Sequence, residues 1–138
     1  MTGRFEILEH TADIGLRLFG DSREELFEAA AEGLATLQGV WLPGEGEDVP
    51  IDVSGGDLSG LLVAWLDEVL YLLESRDAVL GMVEVRSVRD ARLAGVVRLA
   101  PRGDRDVDSV GVKATTLHRI RLEREPNGTW SADVYLDV

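Results

Sequence analysis

The chain has 138 residues, a length that suits a single domain, and 45% of them are apolar, which is enough for a hydrophobic core. It has no cysteine, which excludes disulfides, zinc–thiolate sites and cysteine nucleophiles. The net charge is −12, and such an acidic surface repels phosphate backbones, so we expect no strong direct binding to nucleic acid. The N-terminal residues lack the apolar segment of a secretory signal, and no apolar run reaches the roughly 20 residues of a membrane span. We therefore expect a cytoplasmic protein without a membrane partner.

The first third of the chain predicts two strands and a helix. Apolar and polar residues alternate around 4–8 and again around 14–19, which is typical of half-buried strands. Ser22 and Glu25 have the spacing of a capping box, which predicts a helix that starts there and ends at Gly39.

The remainder predicts one more strand, a long apolar helix and then four strands. The short strand covers 49–53, and Asp57 can cap a helix that runs to about Arg76. The four later strands are predicted by alternation and turn residues, at 82–88, 92–100, 110–123 and 130–138. Grouped strands indicate an α+β fold, with mostly antiparallel β-sheets and two α-helices packed on one face. We predict one domain over residues 1–138.

Strict alternation assigns the polar residues of the last two strands to faces. Between Val110 and Leu122 it assigns His118 to the apolar face and Lys113 to the polar face. His118 on an apolar face is typical of a hydrogen-bonded core histidine, with a catalytic role as the alternative. Lys113 is the only lysine among 14 basic residues, which is interpreted mainly as a compositional bias toward arginine, with a site that needs a compact point charge as the alternative.

The end of the chain carries a candidate cation site. Asp137 lies on the polar face of the last strand, beside the terminal carboxylate of Val138, and two fixed carboxylates attract a hard cation. Asp13 can supply a third carboxylate if its turn packs beside the C-terminus; the alternative is a frayed, solvated chain end. The D-x-D-x-D sequence at 104–108 lacks the later Gly and Glu of a calcium loop, so a solvated acidic loop is favoured there.

Five segments together resemble the archease family, in order and over nearly the whole chain. They are HTADIG at 10–15, SREELFEAA at 22–30, the helix at 57–73, VKATTLH at 112–118 and VYLDV at 134–138.

The resemblance implies a divalent cation bound by Asp13, Asp137 and the terminal carboxylate of Val138. Calcium is the first choice, with magnesium and manganese as alternatives. It also implies a functional role for Lys113. The two histidines, His10 and His118, are the other candidate functional residues, with a role in shaping the turn or the core as the alternative.

The resemblance further implies an accessory protein rather than an enzyme. Archeases assist the GTP-dependent, RtcB-type RNA ligase of tRNA splicing and RNA repair, by promoting its guanylylation and multiple turnover. The ligase is then the protein partner, and GTP and RNA are bound through it. Two alternatives stay open: a small metal-dependent hydrolase or nucleotide-processing enzyme, and a chaperone-like modulator of RNA-processing proteins.

Overall fold

A computed structural model describes residues 3–9, 13–38, 44–103 and 114–137. Within them the chain forms seven strands and two helices, in the order β1 (Arg4–Glu9), β2 (Asp13–Gly20), α1 (Arg23–Gln38), β3 (Glu47–Ser54), α2 (Leu58–Ser75), β4 (Ala78–Arg89), β5 (Arg92–Pro101), β6 (Ala114–Arg124) and β7 (Trp130–Asp137). The predicted α+β class is confirmed, and so is the order of elements.

The strands form two antiparallel sheets. Sheet A has four strands in the order β1-β2-β7-β6, and sheet B has three in the order β3-β5-β4. Both helices contact strands of both sheets. Helix α1, for example, packs Gly33 against Leu16 of sheet A, while Glu24 and Glu28 face β4 of sheet B. The helices therefore form a layer between the two sheets.

Side-chain caps fix where the helices begin. The Ser22 hydroxyl accepts a hydrogen bond from the Glu25 N–H at 3.1 Å, and the Glu25 carboxylate accepts one from the Asp21 N–H at 3.3 Å. The predicted capping box is thus present, with its return bond one residue earlier than usual. At the second helix, the Asp57 carboxylate accepts from the Gly60 N–H at 2.7 Å, as predicted.

The core lies between the helix layer and the inner faces of the sheets. Trp65 of α2 is fully buried, and its Nε1–H donates to the Phe27 carbonyl oxygen of α1 at 2.8 Å, which joins the two helices. The largest other side chains that are fully buried are Phe27, Leu16, Leu18, Leu26, Leu34, Leu61, Leu62, Leu66, Leu80, Leu93 and Leu136.

Strand β4 begins at Ala78, four residues earlier than the sequence predicted. Residues 78–81 are all buried, so they carry no alternation of apolar and polar side chains. A strand that is buried on both faces loses the period-two signal on which the prediction depended.

Candidate functional site

The register of sheet A brings the two ends of the sequence together. Strands β2 and β7 pair without a shift along their whole length, and the Cα of Asp13 is paired with the Cα of Asp137. Residues directly opposite in an antiparallel pair have Cβ atoms about 4.5–5.5 Å apart and share one face of the sheet. The two candidate aspartates, separated by more than a hundred positions in sequence, thus occupy one row at one end of sheet A.

A third strand reaches the same row from the other side. Ala114, the first residue of β6, is paired with Asp137. Lys113 is the preceding residue in sequence and lies outside the described residues, as do His10 and Val138. Asp137 is exposed.

Strand β6 does not keep the single alternation expected from the sequence. Thr116 is paired with Tyr135, yet Arg121 is paired with Asp133, two residues earlier on β7. Four β6 residues, among them His118, therefore stand opposite one β7 residue, and alternation cannot assign His118 to a face. The prediction that one alternation of faces runs through the whole strand was wrong, because a bulge of this kind does not change the apolar periodicity of the sequence. Bulges are enriched beside functional sites.

The next row on the same face of sheet A, the outer face that is turned away from the helices, contains an aromatic ring. Tyr135 is paired with Gly15, and a Cβ added to Gly15 would lie 2.9 Å from Cε1 of Tyr135 and 3.2 Å from Cβ of Leu8. A glycine at this position allows the ring to lie directly against the β2 backbone. Tyr135 is only 8% exposed, although it belongs to the outer face.

One row further, a buried carboxylate joins two arginines. Asp133 is 8% exposed and accepts hydrogen bonds from Arg17 of β2, at 3.0 and 3.4 Å, and from Arg121 of β6, at 3.3 Å each. Arg121 also donates to the Ser131 hydroxyl at 2.9 Å and to the Glu123 carboxylate at 2.7 Å. This ion network spans three adjacent strands of sheet A.

The network sets the protonation state of its members. Burial alone would raise the pKa of Asp133, but hydrogen bonds from Arg17 and Arg121 outweigh burial and lower that pKa below its ordinary value. The hydrogen bond with Asp133 in turn raises the pKa of Arg17 and that of Arg121. No local pattern singles out these three residues, because the strand register that joins them cannot be predicted from one strand at a time.

The helix layer holds a second set of carboxylates. The Glu28 carboxylate accepts from the Val85 N–H of β4 at 2.9 Å, and Glu24 accepts from the Val88 N–H at 3.3 Å. Burial raises the pKa of Glu28 and also that of Glu32, one turn further along α1. Glu24 and Glu28 thus satisfy backbone donors of the edge strand β4. Among the side chains that the structure describes, no three acidic or histidine residues are grouped closely enough to hold a metal ion.

Comparison with known proteins identifies the family. The sequence model of the archease protein family (MTH1598/TM1083) matches residues 5–138. The archease of Pyrococcus furiosus is 34% identical over 142 residues, which cover 98% of this chain and 99% of that protein. The archease of Methanopyrus kandleri is 34% identical over 139 residues, which cover 97% and 99%.

The chain belongs to the archease family.

Solved structures agree with this assignment. The solution structure of Methanobacterium thermoautotrophicum protein 1598 superposes with a TM-score of 0.80 at 27% identity, over 97% of this chain and 98% of that one. The crystal structure of a Thermotoga maritima archease, described as a possible chaperone, matches with a TM-score of 0.65 at 21% identity, over 96% of each chain. The second match speaks for the archease fold alone. None of the described helices in the present chain is long and apolar enough to cross a membrane.

Proposed function

We propose that this archease is an accessory factor, not itself an enzyme, that stimulates a GTP-dependent RtcB-type RNA ligase in tRNA splicing and RNA repair. In this proposal a divalent cation, calcium first, with magnesium or manganese as alternatives, is held by Asp13 and Asp137 together with the terminal carboxylate of Val138. The observation that carries the proposal is the pairing of Asp13 with Asp137 across β2 and β7.

The pairing favours a bound cation because two carboxylates without a counter-charge would destabilise the sheet. Like charges directly opposite in an antiparallel sheet destabilise it, whereas oxygen ligands from two or three carboxylates are what calcium and magnesium prefer. Asp137 is exposed, so a cation can reach this row from solvent. A bound cation supplies a concentrated positive charge, which neutralises the carboxylates and fixes their positions.

Asp13, Asp137 and the terminal carboxylate of Val138 then form an acidic end of sheet A that can dock on a ligase. An enzyme that binds RNA needs a positive surface, and a partner with a net charge of −12 is steered toward such a surface. Lys113, next in sequence to Ala114 in the row of Asp137, is the candidate to contact a phosphate or a ligase carboxylate as a compact cation.

The test measures guanylylation of the host's ligase by GTP, with and without this protein and with and without a chelator. Asp13→Asn and Asp137→Asn remove one charge each with little change of shape, and we expect each to reduce the stimulation at least about tenfold. Asp52→Asn is the matched control: Asp52 also lies on a strand, is exposed and pairs with Arg92, but belongs to sheet B. Calcium binding, measured by titration calorimetry, should be lost in the first two variants and kept in the third.

Each alternative function predicts a different result. Full stimulation by both Asn variants would rule out the carboxylate site. Turnover of GTP by the isolated protein would favour the hydrolase. A ligase that is fully active alone, together with binding of this protein to many unrelated clients, would favour the chaperone-like role.

A further inference from the structure

The four sheet edges of this protein are not alike, and one of them has the fewest features that block the addition of another strand. At the edge of sheet B formed by β4, Glu28 and Glu24 of α1 accept hydrogen bonds from the Val85 and Val88 N–H groups. These carboxylates occupy backbone donors that would otherwise be open to another strand.

Two other edges carry protective features of their own. Strand β3, the opposite edge of sheet B, has Pro50 at its centre and exposed Asp48 and Asp52 beside it. A proline and charged side chains are the usual means of blocking strand addition at an edge. Strand β6, at one edge of sheet A, departs from regular pairing between Thr116 and Arg121, and a bulge also discourages edge pairing.

Strand β1, at the other edge of sheet A, also carries exposed charges, on Arg4 and Glu6, but they are of opposite sign, and the other protective features are missing. It pairs with β2 in unbroken register from Arg4 to Glu9 and contains no proline. Within the described part of the chain, no side chain or loop hydrogen-bonds to its outer edge. It also carries Ile7, which is 43% exposed; the other large apolar side chain exposed among the described residues is Tyr71 of α2.

We propose that β1 pairs antiparallel with β1 of a second copy of this chain, joining two four-stranded sheets into one continuous sheet. A two-fold axis through Phe5 sets the register. Phe5 then faces Phe5 of the second copy, Arg4 faces Glu6, and Gly3 faces Ile7. The axis generates the charge pair twice, so the edge complements itself.

The neighbouring registers are poorer. An axis through Glu6 would place two glutamates directly opposite each other, which is destabilising. An axis through Ile7 would oppose Phe5 with Glu9 and leave Arg4 without an acidic partner on the strand. Only the axis through Phe5 pairs opposite charges.

The side chains needed for this register are accessible. Arg4 is 60% exposed and Glu6 is 48% exposed, and their contact within β1, at 4.0 Å, is long. Gly3 lies close to α1, since a Cβ there would be 2.9 Å from Cβ of Ala29. Ile7 of the second copy would therefore be covered by α1 of the first, which explains why an isoleucine stands exposed in the isolated chain.

Sedimentation velocity of the full chain, over a range of micromolar to millimolar concentrations, tests the proposal without metal or ligase. We expect a reversible dimer. Glu6→Arg places arginine opposite arginine twice and should raise the dimer dissociation constant at least about tenfold. The double variant Arg4→Glu with Glu6→Arg exchanges the two charges and should restore dimerisation.

Two further variants separate edge pairing from other causes. Ile7→Lys places a charge at the same edge and should abolish the dimer, while thermal unfolding confirms that the monomer still folds. Tyr71→Lys is the matched control, because it removes the other exposed apolar side chain, on α2; we expect its dissociation constant to equal that of the wild type. A wild-type chain that stays monomeric at millimolar concentration, or a dimer unaffected by Ile7→Lys, would overturn the proposal. So would a dimer that Tyr71→Lys weakens equally.

Discussion

Asp133→Asn should destabilise this protein by far more than the loss of one carboxylate usually costs. The side chain of Asp133 is 12% exposed and is the shared acceptor for Arg17 and Arg121. With its charge removed, both guanidinium groups lose their main partner while they remain fixed against the sheet.

The exposure of the arginines limits the cost. Removing one partner of a fully buried ion pair costs about 3–5 kcal/mol, and an exposed pair contributes about 0–1 kcal/mol. The side chains of Arg17 and Arg121 are 43% and 35% exposed, so water can solvate the guanidinium groups and offset part of the lost interaction. We therefore expect the free energy of unfolding to fall by about 2 kcal/mol, which corresponds to a loss of about 7 °C in Tm for a chain of this length.

Urea unfolding followed by circular dichroism measures the change, with Asp52→Asn as the matched control. Asp52 makes a bidentate pair with Arg92 at 2.9 and 3.0 Å, with better geometry than the Asp133 pairs, but both side chains are more than half exposed. We expect that control to lose little stability, because water screens an ion pair that is this exposed. If the two variants were equally destabilised, burial would not be what makes the Asp133 network important.

Three further predictions concern acid stability and the helix layer. The pKa of Asp133 is lower in the folded state than in the unfolded state, where it is about 3.9. The stabilisation from this carboxylate is therefore present above the unfolded-state pKa and is lost as pH falls through the folded-state pKa. A plot of unfolding free energy against pH for Asp133→Asn, measured by urea unfolding, should lack that loss at acid pH. Glu28→Ala leaves the Val85 N–H without its acceptor and should cost about 1–3 kcal/mol in urea unfolding, whereas Glu28→Gln keeps an acceptor oxygen and removes a charge that burial disfavours, so it should be neutral or stabilising at pH 7. Trp65→Phe removes the donor to the buried Phe27 carbonyl and opens a cavity, and should cost about 2–4 kcal/mol in the same assay; a loss below 1 kcal/mol would show that neither effect matters.

The elements of this fold were predictable where their signals are local. A capping residue lies within three positions of the N–H that it accepts from, so Ser22 and Asp57 identified the helix starts correctly. Strand β7 pairs with β2 without a register shift, and Ala132 and Val134 are fully buried as expected. The signals failed where burial removed the alternation, at the start of β4, and where a bulge interrupted it, in β6.

The candidate site could be predicted only in part, because sheet register is not a local property. The residues themselves suggested that Asp13 and Asp137 belong together, but only if their strands were neighbours. Nothing near Asp13 in sequence specifies that β2 pairs with β7 rather than with β3. The Asp133 network was missed for the same reason: Arg17 and Arg121 are ordinary outward-facing strand residues until β7 is placed between them.

The topology also explains how stability and function can be separated on one face of sheet A. Strands β2 and β6 run antiparallel to β7, so the start of each meets the end of β7, and the proposed site collects at a single end of the sheet. Asp133 lies four residues before Asp137 on the same strand, with Tyr135 against Gly15 between them. The buried carboxylate of Asp133, which accepts hydrogen bonds from two arginines, stabilises the fold. The exposed Asp137 has no such ion pair among the described side chains, so a ligand can reach it. Substitution of Asp133 therefore tests what holds the strands in register, and substitution of Asp137 tests the proposed cation site.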